Sequence, residues 1–497
     1  MSHRLRVILL SIIAIGFTLF NAFTHYDQGS LIYDEGDYYQ AIRNGFWNNW
    51  MDADDVPTIE FIETGVKAVK GEIARSEMSK MIRSRGSSAF YRHYHPPFAF
   101  YHPMITKAIA PDMPPENQLR FGTFGLLILW ILILAALSLK EESLFTPWFV
   151  LIPASANWVA SACGFNMHVP FGLALTTMVL AWYAYEGDRS KVWIKRVSLF
   201  FLAVALCSVE YSLFLNGMLF LWGIFTLWKN RKEWKAHLKV RLADLAWLVG
   251  FMLVIWPAGV LKLGLLKSYA LQAYIALFRL DSNVDGFTTF REMIEWKWTG
   301  SPIEMLMLVG IVAGIIWGWQ KVLKRGSLFV SLGVVLAIIY TQLNPALVLR
   351  WYLFPVFSVA FVFYLHVLSE RAGFSPTRES AIAFLTACTI FAITQFEIKL
   401  PSYTKAREVR DAVRTVSGTD STMPIITVQG MAPPLGAYFP ERQVRGFHPE
   451  DFKKGDMLDS LNAWMPDHVL VLPGDVSVEK KGGIQVEDLV IVGPGGK

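Results

Sequence analysis

Apolar residues are not spread along this chain; they are gathered into runs separated by short polar stretches. Eleven runs approach membrane-spanning length: 7–24, 119–139, 144–162, 167–185, 197–213, 215–228, 242–261, 303–320, 327–343, 351–368 and 380–396. About 20 mostly apolar residues are needed for a helix to cross a bilayer. The pattern therefore predicts a polytopic α-helical membrane protein, with 197–228 read as a pair of spans although its second run is short. The first run is read as a retained span and not as a leader, because no small-x-small step follows it.

Lys and Arg set the expected orientation, since they collect in cytoplasmic loops. With the N-terminus inside, the inner loops hold Arg4, Arg6, Lys140, Lys195, Arg196, Arg241, Lys324, Arg371 and others, and the short outer loops hold few. That alternation puts two larger polar pieces outside. The first is the loop 25–118, with 13 Asp and Glu against 9 Lys and Arg. The second follows residue 400. There 402–416 reads as helix, Pro424–Val428 and His468–Leu472 as short buried strands, 449–464 as helix and 487–492 as a further strand. The expected organisation is a transmembrane module over 1–400 and a small external α/β domain over 401–497.

Composition agrees with this. Of 497 residues, 53% are hydrophobic and only 18% charged, against about 25% charged in an average soluble domain. This excludes an ordinary soluble enzyme and a disordered chain. The net charge of +5 is absorbed by the inner basic collar and calls for no nucleic-acid partner. Cys163, Cys207 and Cys388 lie in or near spans, with no metal-type spacing, and imply no disulfide framework.

Chemistry concentrates in the first external loop. Tyr33-Asp34-Glu35-Gly36-Asp37-Tyr38-Tyr39 places three carboxylates within four residues, about ten residues beyond the first span. A carboxylate there can serve as general base towards an acceptor hydroxyl or orient a cation. The alternative is a solvated acidic turn with Asp34 as the N-cap of a helix. At the far end of the loop, Arg92-His93-Tyr94-His95-Pro96-Pro97-Phe98 is stiff, because each proline fixes φ and pushes its predecessor to extended geometry. A zinc site from His93, His95 and His102 would match no common zinc spacing. The loop 262–302 carries Trp296 and Trp298 among several aromatics, fitting either a lid over a lipid-linked substrate or an aromatic belt at the interface.

The acidic pair Asp34-Glu35 with its following Tyr and Ala41, and His95-Pro96-Pro97 closing a long first external loop, resemble the GT-C membrane glycosyltransferases. The nearest branch is the dolichyl-phosphate-mannose–protein mannosyltransferase-like group, with the bacterial aminoarabinose transferases. The resemblance covers 34–41 and 95–97 and agrees with the eleven-run layout; the tail after 400 adds nothing to it.

The resemblance implies an inverting transfer of a sugar from a polyprenyl-phosphate donor to an acceptor on a protein, lipid or glycan, at the outer face of a bacterial inner membrane. Asp34 would be the catalytic base, and Glu35 would shape the site or bind the acceptor; Asp37 is a weaker candidate. A leaving phosphate needs cationic donors. Arg350, in Arg350-Trp351-Tyr352-Leu353-Phe354-Pro355, matches the family's late Arg–Tyr–Pro pattern apart from the inserted Trp351. Arg92 and Arg279 are secondary choices, and His95 either contacts phosphate or braces the loop. Two positions depart from the family. Where an Asp usually opens the fourth span, this chain has Asn166 and His168, and where a Lys is common near the outer end of the fifth it has Glu210. An acid in an apolar run usually faces a polar cavity, so Glu210 is expected to read a sugar hydroxyl or amine, or to bind a divalent metal with His168. The rival class is a transporter or flippase, which the lack of a repeat and of paired broken helices disfavours.

Overall fold

In a computed structural model, the described residues are 2–25, 31, 33–50, 96–140, 147–155, 192–208, 231–261, 368–397, 406–418, 422–464, 467–476 and 483–493, with a few single positions between them. Among these, two helices are long and apolar enough to cross a membrane, within α1 (His3–His25) and α5 (Pro115–Lys140). The runs 167–185, 215–228, 303–320, 327–343 and 351–368 lie largely outside the described residues.

Between α1 and α5 the chain forms α2 (Tyr33–Arg43), α3 (Gly45–Trp50) and α4 (Phe98–Ile109). Gly45 has φ +81°, the left-handed geometry that turns α2 into α3 and that L side chains resist. Asn49 fixes the same corner, its Nδ2 donating to the carbonyls of Ala41 and Gly45, both at 2.8 Å. Helix α5 opens with a proline, whose missing N–H costs nothing in the first turn, and carries Glu116 there and Lys140 in its last turn, as the helix dipole favours. Helices α6 (Pro147–Ser155), α7 (Val192–Leu206), α8 (Trp234–Ile255), α9 (Pro257–Leu261) and α10 (Pro376–Glu397) also belong to the bundle.

Side-chain contacts sort these helices by direction. The His3 ring nitrogen meets the Ser138 carbonyl at 3.0 Å, so the start of α1 adjoins the end of α5. At this end Lys140 lies over the Trp193 ring and Arg196 over Trp247, and Lys195 and Arg241 both pair with Asp244. At the opposite end the Phe98 N–H donates to the Cys207 carbonyl at 2.9 Å, the Tyr101 hydroxyl to Ile255 at 3.0 Å and the Trp50 indole to Val254 at 3.0 Å. Thus α7 and α8 both run from the basic end towards α4.

The α/β unit begins with α11 (Ala406–Ser417). Its buried residues Ala406, Val409, Ala412 and Val413 follow helical spacing, and Gly418 with φ +58° ends it. Five strands follow: β1 (Ile425–Val428), β2 (Val444–Phe447), β3 (Val469–Pro473), β4 (Ile484–Val486) and β5 (Leu489–Val492), in spatial order β2-β1-β3-β5-β4. β1 is parallel to β2 and β3, whereas β5 is antiparallel to β3 and β4. Helices α12 (Ala432–Tyr438) and α13 (Gly455–Trp464) make the crossovers.

Strand alternation splits the core. Ile426, Leu470, Leu472, Val490 and Val492 pack with Phe452 and Leu461 on one face. On the other, Ile425, Val469, Val471 and Ile491 join Val409, Val413 and Leu435 in a core continuous with that of the helical bundle.

The sequence reading differs here in detail. Among the described residues the tail holds five strands, not three, and 449–464 is a 3-10 turn over Pro449–Lys453 followed by a separate helix.

Candidate active site: a buried polar hub beside the acidic helix

The acidic motif is helical from Tyr33, so Asp34 lies in the first turn of α2 and is not its N-cap. A carboxylate there suits the positive end of the helix dipole. Glu35, Gly36, Tyr38, Tyr39, Ala41 and Ile42 are buried.

Glu35 is fully enclosed, and Arg120 grips it with two charge-assisted bonds, Nε to Oε1 at 3.3 Å and Nη2 to Oε2 at 3.1 Å. The two side chains are 0% and 5% exposed, which leaves Glu35 facing protein and not solvent. Such a pair holds geometry more than it adds stability, because desolvating two charges offsets most of their attraction. Arg120 was legible as an anomaly, since it sits inside the apolar run 119–139. An ionisable group in a span normally faces the protein interior and has a partner.

Arg120 belongs to a polar turn that sequence reasoning passed over. Glu116, Asn117, Gln118 and Arg120 open α5 like a solvated helix start, yet all four are buried. Gln118 accepts from the Tyr39 hydroxyl at 2.8 Å. Its amide nitrogen faces the carbonyls of Ala110, Pro111 and Met113 at 3.2, 3.0 and 2.8 Å, pinning the corner between α4 and α5. Burial raises the Tyr39 phenol above its ordinary value, Arg43 opposes this and Glu116 adds to it, so Tyr39 is held as a neutral donor. Glu116 pairs with Arg407 of α11, 291 residues away in sequence.

The tail reaches the motif directly. The Leu31 N–H donates to the Tyr438 hydroxyl at 3.1 Å, and Arg43 Nη1 donates to the Gly436 carbonyl at 3.4 Å. The Tyr438 phenol is raised, first by burial and then by the Glu116 charge. Arg410 covers its ring at 5.0 Å.

Pro96 and Pro97, at the other end of the loop, are buried, and Pro97 starts α4, whose first N–H is satisfied by Cys207 and not by a capping side chain. The Tyr38 and Phe100 rings, 5.7 Å apart, join α2 to α4. His102 Nε2 lies 3.4 Å from Thr123 Oγ1 and its Nδ1 is enclosed. Burial pushes its imidazole down to about 3, so it stays neutral.

Arg92, His93, His95, His168, Glu210, Arg350 and Tyr352 lie outside the described residues, as do the side chains of Asp34 and Asp37. Among the described residues, no three His, Cys, Asp or Glu side chains gather as a metal site.

No family model and no curated protein matches the chain. Solved structures do. ArnT from Cupriavidus metallidurans, in a crystal structure bound to undecaprenyl phosphate, is similar over 98% of this chain and 97% of its own, at 12% identity and TM-score 0.55. Its apo crystal structure is similar over the same shares, at 11% identity and TM-score 0.52. The Archaeoglobus fulgidus oligosaccharyltransferase AglB, in complex with an inhibitory peptide and a dolichol-phosphate, is similar over 95% of this chain and 69% of its own, at 12% identity and TM-score 0.54. Identity this low speaks to architecture alone: the chain has the GT-C fold of membrane glycosyltransferases, with an α/β sheet at its C-terminal end.

Proposed function

We propose that this protein is an inverting glycosyltransferase that moves a sugar from a polyprenyl-phosphate donor to an acceptor hydroxyl or phosphate at the outer face of a bacterial inner membrane. The α/β unit over 401–497 stands on that same outer side of the transmembrane module 1–400. The observation that carries this reading is the near full-length likeness to ArnT, a protein crystallised with undecaprenyl phosphate. The acidic helix α2, at the end of the bundle opposite the basic collar, supports it.

In this reading Asp34 takes the proton from the acceptor oxygen as that oxygen attacks the anomeric carbon. The bond from that carbon to the phosphate oxygen breaks, and polyprenyl phosphate departs with the bonding pair. Arg350 binds the departing phosphate, helped by Tyr352, His95 and Arg92. Glu210 reads a sugar hydroxyl or amine or binds a divalent metal with His168, and Asp37 is a weaker candidate for binding substrate. Glu35, gripped by Arg120, shapes the site by fixing its helix.

The test is sugar transfer by the full chain in liposomes, supplied with undecaprenyl-phosphate-linked donors. Asp34→Asn should lower turnover by about 10²–10⁴, the usual worth of a general base, at unchanged expression. Arg350→Ala should mainly raise the donor KM. Full activity in both variants would remove the assignment.

A further inference from the structure

We propose that the C-terminal α/β unit is a working part of the transfer site: α12 seats on α2 and fixes where Asp34 stands, and Gly36 is the positioning residue that lets it seat. This rests on the reading of Asp34 as base.

Gly36 has an ordinary helical backbone, so left-handed geometry does not explain a glycine there. Space does. A Cβ at position 36 would overlap the backbone carbonyl of Pro433 and the nitrogen of Pro434. These are backbone atoms early in a proline-stiffened helix, unable to swing aside as a long side chain would. The close approach is flanked on both sides. Before α2, the Leu31 N–H bonds to the Tyr438 hydroxyl; at its end, Arg43 bonds to the Gly436 carbonyl. Behind it, the buried Glu116 carboxylate is held by Arg407. Helix α2 is thus fixed at its entry, middle and exit by one unit of the tail, and at Glu35 by Arg120 from α5. Position 34 precedes two adjacent locked residues, one facing each partner, which leaves its backbone little freedom. Misplacing a reacting group by about 1 Å costs roughly 100-fold in rate, so a tail shifted by a methyl group should register in chemistry before it registers in donor binding.

The experiment compares Gly36→Ala with Gly125→Ala, a position where an added Cβ meets nothing within 4 Å. Full chains in liposomes are assayed with undecaprenyl-phosphate-linked donors, and amide hydrogen exchange is followed over 31–43 and 432–438. Gly36→Ala should lower kcat roughly 10- to 100-fold with the donor KM little changed, and both segments should lose protection together. Gly125→Ala should change neither. Arg407→Ala should move both readouts the same way, and Arg407→Lys, which keeps the charge on Glu116, should recover most of the loss. An unchanged kcat in Gly36→Ala with raised exchange would overturn the positioning role. Unchanged exchange in both segments would overturn the seat itself. If the wild-type chain transfers no sugar from any such donor, the assigned chemistry falls, and the exchange measurement alone decides whether α12 clamps α2.

Discussion

The two ends of the helical bundle handle charge in opposite ways. At the basic end, cations lie over aromatic faces or share one half-buried acid: Lys140 over Trp193, Arg196 over Trp247, Lys195 and Arg241 both on Asp244. At the other end, polar groups are taken out of water altogether. Glu35, Glu116 and Gln118 are 0% exposed and bonded across four segments of the chain. The first arrangement tolerates movement better, because its charged groups keep some contact with solvent. The second does not, since each buried polar group depends on a partner in a fixed place. The proposed placing of Asp34 relies on the second kind.

This contrast can be broken most directly at Arg120. Arg120→Ala leaves Glu35 buried without its guanidinium and should cost about 3–5 kcal/mol, whereas replacing both residues with leucine should restore most of it. Thermal unfolding in detergent checks both, and a double variant as unstable as Arg120→Ala would refute the pairing as the cause. Next in size is Gly122→Ala. Its new methyl would meet Thr106 Oγ1 at 2.9 Å and Pro103 Cα at 3.0 Å where α4 crosses α5, an overpacking expected to cost about 1–3 kcal/mol. On the same helix, open-faced Gly125→Ala should gain up to about 1 kcal/mol.

A smaller effect concerns pH. The folded Tyr438 phenol sits above its ordinary value of 10.0, with Glu116 and Glu35 adding to burial and Arg410 over its ring. The folded state therefore holds that proton more tightly than the unfolded one. Docking of the tail should be unaffected below pH 10 and weaken as pH rises above it. Tyr438→Phe should flatten that alkaline loss as read by hydrogen exchange over 432–438, although Tyr39, raised in the same way, leaves a remainder. Smallest of all, Arg241→Ala at the basic end should cost at most about 1 kcal/mol. A loss as large as that of Arg120→Ala would erase the difference between the ends.

The basic end was readable because its logic is local: cations collect in short loops, and counting them along the chain is enough. The long apolar runs at α1 and α5 and the helical spacing of Val409, Ala412 and Val413 were readable for the same reason. The polar hub was not. Pro115–Arg120 has the composition of a solvated helix start, and only its partners, some 80 residues upstream in α2 and 291 downstream in α11, turn it into interior. Arg120 gave the one local warning. In the tail, β3 and β5 announce themselves as continuous buried apolar runs, while β2 (Val-Arg-Gly-Phe) carries too little apolar sequence to stand out. The β4–β5 hairpin turns through Glu487-Asp488, with Glu487 at φ 52°. A turn of this kind is usually marked by Asn-Gly or Asp-Gly, and without glycine it went unmarked. The acidic motif was legible because it is contiguous, at Asp34–Tyr39. Its buried partners were not, because they come from distant segments.

The bond between Leu31 and Tyr438 spans 407 residues, and that separation has a consequence in time. At synthesis rates of about 5–20 residues per second, helix α2 leaves the ribosome some 20–80 s before Tyr438 and α12 exist. Arg120 reaches Glu35 early in that interval; Arg407 reaches Glu116 only near its close. The acidic helix is thus born half-fastened, and the last fifth of the polypeptide completes what the first tenth began. A chain cut short before the tail would carry every residue of the motif while lacking the surface against which α2 comes to rest.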